Sequence, residues 1–323
     1  MKRPVRNYLA LTHHEISGRL LNLIIMLQTR LFIDRWLSRL MLLLTLLSVS
    51  VVIFIGAGLY YRSIPLLSET SWIELLSSGA WKPIKGLFGF FPFIMGTLWV
   101  TVIAVVIALP LCLLTAVWLS EYAHAGLRKL IVPVVNLLSG IPPVIYGVWG
   151  ILFIVPLIEK NIAPYFVDFS TGYSVLAGGI VLSVMIFPLI VSVVLEVLRT
   201  IPAELKDASL SLGATKSETI RKVIFKKALP GIIAAAVLAV SRAFGETIAV
   251  LMVCGNNPEV PGSVFDTGYP LPALIANNYG EMLSIPMYDS ALMYAAFLLF
   301  IIILLFNFIS RIILIRLERR LQA

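Results

Sequence analysis

Five stretches of this chain run for more than 20 residues without a single Asp, Glu, Lys or Arg: Leu40–Tyr61, Gly86–Ser120, Leu130–Ile158, Phe169–Leu195 and Ser290–Ser310. A sixth, Ala228–Pro258, is as apolar but contains Arg242 and Glu246. Crossing about 30 Å of hydrocarbon at 1.5 Å per residue takes roughly 20 apolar residues. Backbone exposed to lipid must satisfy its own hydrogen bonds, so each stretch reads as a helix. The expected fold is all-α, a polytopic membrane protein with six transmembrane helices. Gly86–Ser120 is long enough to hold an interfacial turn around Phe90-Phe91-Pro92 before its helix begins.

Composition agrees. Hydrophobic residues make up 59% of the 323 residues and charged ones 13%, against about 45–50% and about 25% in a soluble domain. That balance excludes a soluble globule and a disordered chain. The net charge of +8 would suggest a nucleic-acid partner, but most basic residues flank the apolar runs. Cys112 and Cys254 both lie within apolar stretches and give neither a disulfide framework nor metal spacing. His13, His14 and His124 form no cluster, so no metal site and no catalytic residue is expected.

Lys and Arg set the orientation. With the N-terminus inside, twenty basic residues fall on the inner side and four, Arg62, Lys82, Lys85 and Lys160, on the outer side. Both termini are therefore expected in the cytoplasm. The outer segment Asn256–Met287 has no basic residue and carries Glu259, Asp266 and Glu281. Ahead of the first span, Leu20–Leu27 is followed by no small-residue cleavage pattern, so the basic segment does not read as a cleaved signal. That stretch either lies along the membrane surface or packs in the cytoplasm.

One inner loop is long, from Arg199 to Lys227. Pro202 suits the first turn of a helix, Ala203–Leu212 continues it, and Gly213 ends it. A second amphipathic helix is expected from Ser217 to about Ala228, with Ile220, Val223 and Ile224 on one face. From the residues alone, the loop is either a hinged two-helix knob with a task or a solvated basic connector. Gly140, Pro142, Pro143 and Gly147 crowd the expected third span. Helix breakers at that depth need neighbours or a cavity; they either aim backbone amides at an anion or kink the helix for packing. Asn136, Tyr146 and Trp149 in the same span read as packing residues.

Asp207-Ala208-Ser209, three residues, then Gly213 resembles the EAA loop of ATP-binding-cassette (ABC) importer permeases, with Asp-Ala-Ser in place of Glu-Ala-Ala. Ser139–Gly150 (SGIPPVIYGVWG), Ser241–Thr247 (SRAFGET) and Ala249–Asn256 (AVLMVCGN) resemble the PstC-type permease subunit of bacterial phosphate-specific ABC importers. The resemblance runs from about Trp81 to the C-terminus. It implies the type I ABC importer permease fold in the bacterial inner membrane and import of inorganic phosphate. It also implies a PstA-like second permease, a PstB-like ATPase dimer and a PstS-like periplasmic phosphate-binding protein. Asp207, Ala208, Ser209 and Gly213 would then meet the ATPase. ATP and Mg belong to that subunit, and no cofactor is expected here, since the chain lacks the Gly-x-x-x-x-Gly-Lys-Ser/Thr phosphate loop.

The domain plan follows. Residues 1–39 are a basic cytoplasmic tail, 40–61 the first transmembrane helix and 62–92 a periplasmic loop. Residues 93–311 are a permease core of five transmembrane helices carrying the coupling loop 199–228, and 312–323 a basic C-terminal tail. Within that core, Arg242 falls near mid-membrane, where an ionisable residue marks a functional site by default. Glu246, four residues on, would share its helical face. The pair either neutralises itself at a helix seam or serves the substrate. In the family resembled, the matching Arg and Glu lie on the phosphate pathway; Thr247, beside them in this sequence, is a further candidate for an oxygen contact. The competing readings are a permease for sulfate, molybdate or a phosphonate, and a membrane enzyme acting on lipid phosphates. The latter would need clustered His or carboxylates that the spans lack.

Overall fold

The computed structural model describes the backbone of residues 5–280 and 285–322, with side chains for 34–280 and 285–316. Glu281 and the side chains of Leu20–Leu27 lie outside the described residues. Among the described residues, six helices are long and apolar enough to cross a membrane. The chain divides into two units, Met1–Gly58 and Leu59–Ala323. The first is helical from Val5, within α1 (Val5–Glu69). Its Leu40, Met41, Leu42, Leu43 and Leu44 are all exposed. A helix apolar on every side fits lipid rather than water, and its spanning part is Asp34–Glu69.

The second unit continues from the end of α1 with α2 (Trp72–Ser77) and a hairpin of two short strands, β1 (Trp81–Lys82) and β2 (Leu87–Phe88). Then come the spanning helices α3 (Phe91–Tyr122), α5 (Pro143–Tyr165), α6 (Val175–Arg199) and α8 (Lys216–Phe244), with α4 (Ala125–Ser139) and α7 (Ala203–Ser211) between them. The short helices α9 (Ile248–Val253) and α10 (Leu271–Asn278) precede α11 (Tyr288–Gln322). The main core fills the space among α3, α5, α6, α8 and α9, with Ala104, Ala108, Val181, Leu182, Ile186 and Ala249 fully enclosed. A second core at the hairpin end is aromatic. Trp81 meets Phe93 edge-on at 4.9 Å, and Phe90 packs on Tyr294 at 5.1 Å, arrangements that add about 0.5–1.5 kcal/mol each beyond area burial.

Two spans differ from their sequence-based bounds. The third does not begin at Leu130. α4 ends at Ser139, and Gly140, Ile141 and Pro142 leave the helix before α5 starts with Pro143 at its first position. Proline is favoured there because its missing N–H has no intrahelical partner to lose. The fifth does not run from Ala228 to Pro258. It starts at Lys216, so the expected second short helix of the inner loop is the first part of the span itself, and it ends at Phe244.

Candidate functional site

Arg242 and Glu246 sit on either side of a helix break. After Phe244 the chain closes its last turn with Gly245 N donating to the Arg242 carbonyl (3.2 Å) and Glu246 N to the Ala243 carbonyl (3.3 Å). It resumes as α9 after Thr247, whose hydroxyl donates to the Gly245 carbonyl at 3.3 Å. The expectation of one continuous helix with the two charges on a shared face is therefore corrected. No ion pair within 4.0 Å joins them among the described residues. The physical reason is that α8 ends at Phe244: Arg242 occupies its last turn, where the carbonyl ends favour a cation, and Glu246 lies in the break ahead of α9. Gly245 between them is the residue least suited to continuing a helix after proline.

Arg242 is exposed on this chain, while Glu246 and Thr247 are half-buried. Arg242 is within electrostatic reach of both Glu246 and Tyr146. The Tyr146 hydroxyl donates to the Leu138 carbonyl at 2.9 Å, tying α5 back to α4 across the Gly140–Pro142 break. Glu246 shares a cavity of about 10 Å³ with Thr97 and Thr101 of α3, closed by Phe244, Val250, Pro270 and Pro272.

Helix α11 measures the depth of this break. Tyr294 touches Phe90 at the start of α3, and Phe306 packs on Phe244 at 5.6 Å. Twelve residues separate them, which is about 18 Å along a helix. The break thus lies about halfway through roughly 30 Å of hydrocarbon if the Phe90 end marks one face. At the same level Ser241 donates to Asn307 Oδ1 at 2.7 Å.

The prolines of the other break serve differently. Pro142 and Pro143 have no amide hydrogen, and Ile145 N is taken by the Pro142 carbonyl at 3.0 Å, so this end offers an anion few donors. Gly147 lies inside α5 and breaks nothing. A β-carbon there would fall 2.5 Å from Met252 Sδ and 3.3 Å from Ala249 Cα. Its role is to let α9 approach.

At the far end of α8, the 199–228 segment forms a polar knob. α7 buries none of its own residues. Asp207 and Ala208 are exposed, and the Ser209 hydroxyl pairs with that of Thr219 at 2.9 Å. Gly213, at φ +83°, stands in the left-handed region. Its N–H donates to Leu210 and that of Ala214 to Ser209, which together make a Schellman stop. Thr215 and Glu218 then form a reciprocal capping box that starts α8.

Residues 112–323 match the family described as binding-protein-dependent transport system inner membrane component. The chain belongs to this family. It is the membrane component of an ABC importer, a permease rather than an enzyme. Among similar proteins, the probable ABC transporter permease protein YqgH of Bacillus subtilis is 41% identical over 72% of this chain and 74% of its own length. The probable phosphate transport system permease protein PstC of Methanocaldococcus jannaschii is 34% identical, covering 78% and 84%. PstC of Xylella fastidiosa is 34% identical, covering 77% and 80%. The permease also superposes on a solved inward-facing MetNI methionine ABC transporter at TM-score 0.52 and 25% identity, covering 69% of this chain and 93% of the other. For a bacterial alginate ABC transporter the TM-score is 0.59 at 16% identity, covering 85% and 92%, a likeness of fold.

Sequence reasoning gave Tyr146 only a packing role and did not reach Thr97 and Thr101. All three are ordinary residues of apolar helices, and only the tertiary approach of α3 and α5 to the Gly245 break brings them to the charges.

Proposed function

We propose that this permease imports inorganic phosphate across the bacterial inner membrane, with Arg242 at the midpoint of its path. One observation carries the reading: an exposed arginine, outside any close ion pair among the described residues, stands at a helix break about halfway through the bundle. An arginine at that depth costs roughly 2.5–3.5 kcal/mol on insertion scales, a cost that a binding role explains and packing does not. The similarity to PstC proteins supports phosphate as the anion. A guanidinium presents a planar fork of donors that matches phosphate oxygens. Glu246, held at α9, keeps a negative charge nearby and limits how tightly a dianion binds, while Thr247 offers a hydroxyl.

In this reading the exposed side of Arg242 faces a PstA-like second permease, and the path runs between the two. A PstB-like ATPase dimer, carrying ATP and Mg, takes Asp207, Ala208, Ser209 and Gly213 into its surface. A PstS-like periplasmic protein delivers phosphate on the opposite side, and both termini lie in the cytoplasm, a placement that the distribution of basic residues supports.

Uptake of labelled phosphate into cells lacking this chain tests the proposal. Restoring the wild-type chain should restore uptake, whereas Arg242→Gln, inserted and assembled normally, should not. Equal competition by unlabelled sulfate, molybdate or a phosphonate would remove phosphate as the substrate. Wild-type uptake by Arg242→Gln would remove Arg242 from the path.

A further inference from the structure

None of the residues of α7 is fully buried, and one of its polar contacts is unlike the other ion pairs. Lys206 Nζ reaches Glu121 Oε1 at 2.6 Å with side chains only 27% and 9% exposed. The other ion pairs among the described residues leave both members 41% exposed or more, where such pairs contribute little. A largely enclosed pair, by contrast, cannot lose one member cheaply.

Glu121 stands in the π-helical last turn of α3, a widened geometry often found at working positions. That turn is held on several sides. Arg128 donates to the Leu119 and Ser120 carbonyls, the Ser120 hydroxyl donates to Glu121 at 3.0 Å, and Lys216 lies 4.6 Å over the Tyr122 ring. Toward its other end, α3 carries Thr97, which accepts from Leu271 N at 2.9 Å, and Thr101, both walls of the Glu246 cavity. One helix therefore touches the knob at Glu121 and the charged break at Thr97 and Thr101.

We propose that Glu121 is a positioning residue: its ion pair with Lys206 hands displacement of α7 to α3, which carries it to the wall beside Glu246. This rests on the reading above that α7 meets the ATPase.

The test uses the complete importer with its own ATPase, reconstituted in vesicles, and reads phosphate moved per ATP hydrolysed. In the assembled importer, Glu121→Gln and Lys206→Gln should each lower that ratio roughly tenfold, within the usual range of coupling between sites, with ATP hydrolysis unchanged. The reciprocal exchange, Glu121→Lys with Lys206→Glu, should recover part of it. Cysteines at both positions should lose coupling and regain it when bridged by a short bismaleimide, since Cys112 and Cys254 are buried. The double-cysteine protein decides the matter should a single variant fail to assemble. An unchanged ratio in Glu121→Gln, or a ratio that the bridge abolishes, would overturn the joint. A separate cysteine at Ala208 that fails to cross-link to the ATPase would overturn the reading of α7 instead.

Discussion

Gly147 lies so close to Met252 that a β-carbon on the glycine would stand 2.5 Å from the sulfur. The contact beds α9, and with it the anchor of Glu246, against α5. Gly147→Val should overpack the site and destabilise the protein by about 1–3 kcal/mol. Met252→Ala in the same chain should relieve part of that loss, because the sulfur is the nearest obstacle. Thermal unfolding in detergent checks both; equal stability of Gly147→Val and wild type would show that α9 has room to move.

Glu246 opposes tight binding if it lies on the anion path. Glu246→Gln should lower the concentration of phosphate that half-saturates uptake and slow maximal uptake together, each by roughly tenfold, the effect of about 1.4 kcal/mol. The concentration dependence of initial uptake rates reads both. A change confined to the maximal rate would place Glu246 outside the binding step.

Gly213 has open space around its missing β-carbon, so only its left-handed backbone resists substitution. Left-handed geometry costs other residues roughly 1–2 kcal/mol. Gly213→Val should therefore redirect the chain between α7 and α8 and uncouple ATP hydrolysis from uptake, with assembly preserved. Normal uptake per ATP in this variant would refute the coupling role.

The capping box at Thr215 is open to a simpler measurement. Thr215→Ala removes the acceptor for the Glu218 amide, 3.3 Å away, at a cost of about 1 kcal/mol. Amide hydrogen exchange in 216–219 should accelerate about fivefold, while exchange deep in α6 stays unchanged.

On the proposed orientation, the acidic segment Asn256–Met287 faces the periplasmic protein, and there Glu259 and Asp266 are not equivalent as docking residues. Asp266 Oδ2 accepts from the Gly262 and Ser263 amides at 2.9 and 2.8 Å, so reversing its charge would also unmake the loop. Glu259 accepts only a side-chain contact from Asn257, at 3.2 Å. Glu259→Lys should slow delivery from the periplasmic protein and weaken its salt dependence; stopped-flow association at two ionic strengths would detect this.

Long charge-free runs made the spans legible, since lipid imposes length and polarity directly on the chain. Gly213 was legible for the same local reason: a helix that must stop in water needs a residue tolerant of left-handed geometry. Where the spans break was not. Helical spacing placed Glu246 one turn from Arg242, but the helix ends at Phe244, and Gly245 turns the chain before Glu246. Leu130–Ile158 looked continuous because α4 is itself free of acidic and basic residues from Leu130 onward, although Gly140 and Pro142 end it. The partners of the site, Tyr146, Thr97 and Thr101, come from other helices and have no local signature at all.

The run of α8 from the capping box at Thr215 to Phe244, which passes through a π-helical turn at Ile220–Ile224 and carries Pro230, has a mechanical consequence. Twenty-six residues separate Lys216 from Arg242, a lever of about 39 Å. A tilt of roughly five degrees at the aqueous end would sweep the guanidinium through about 3 Å, the length of a hydrogen bond. On the proposed reading, a rotation of that size would be enough to give an anion to Arg242 or take it away.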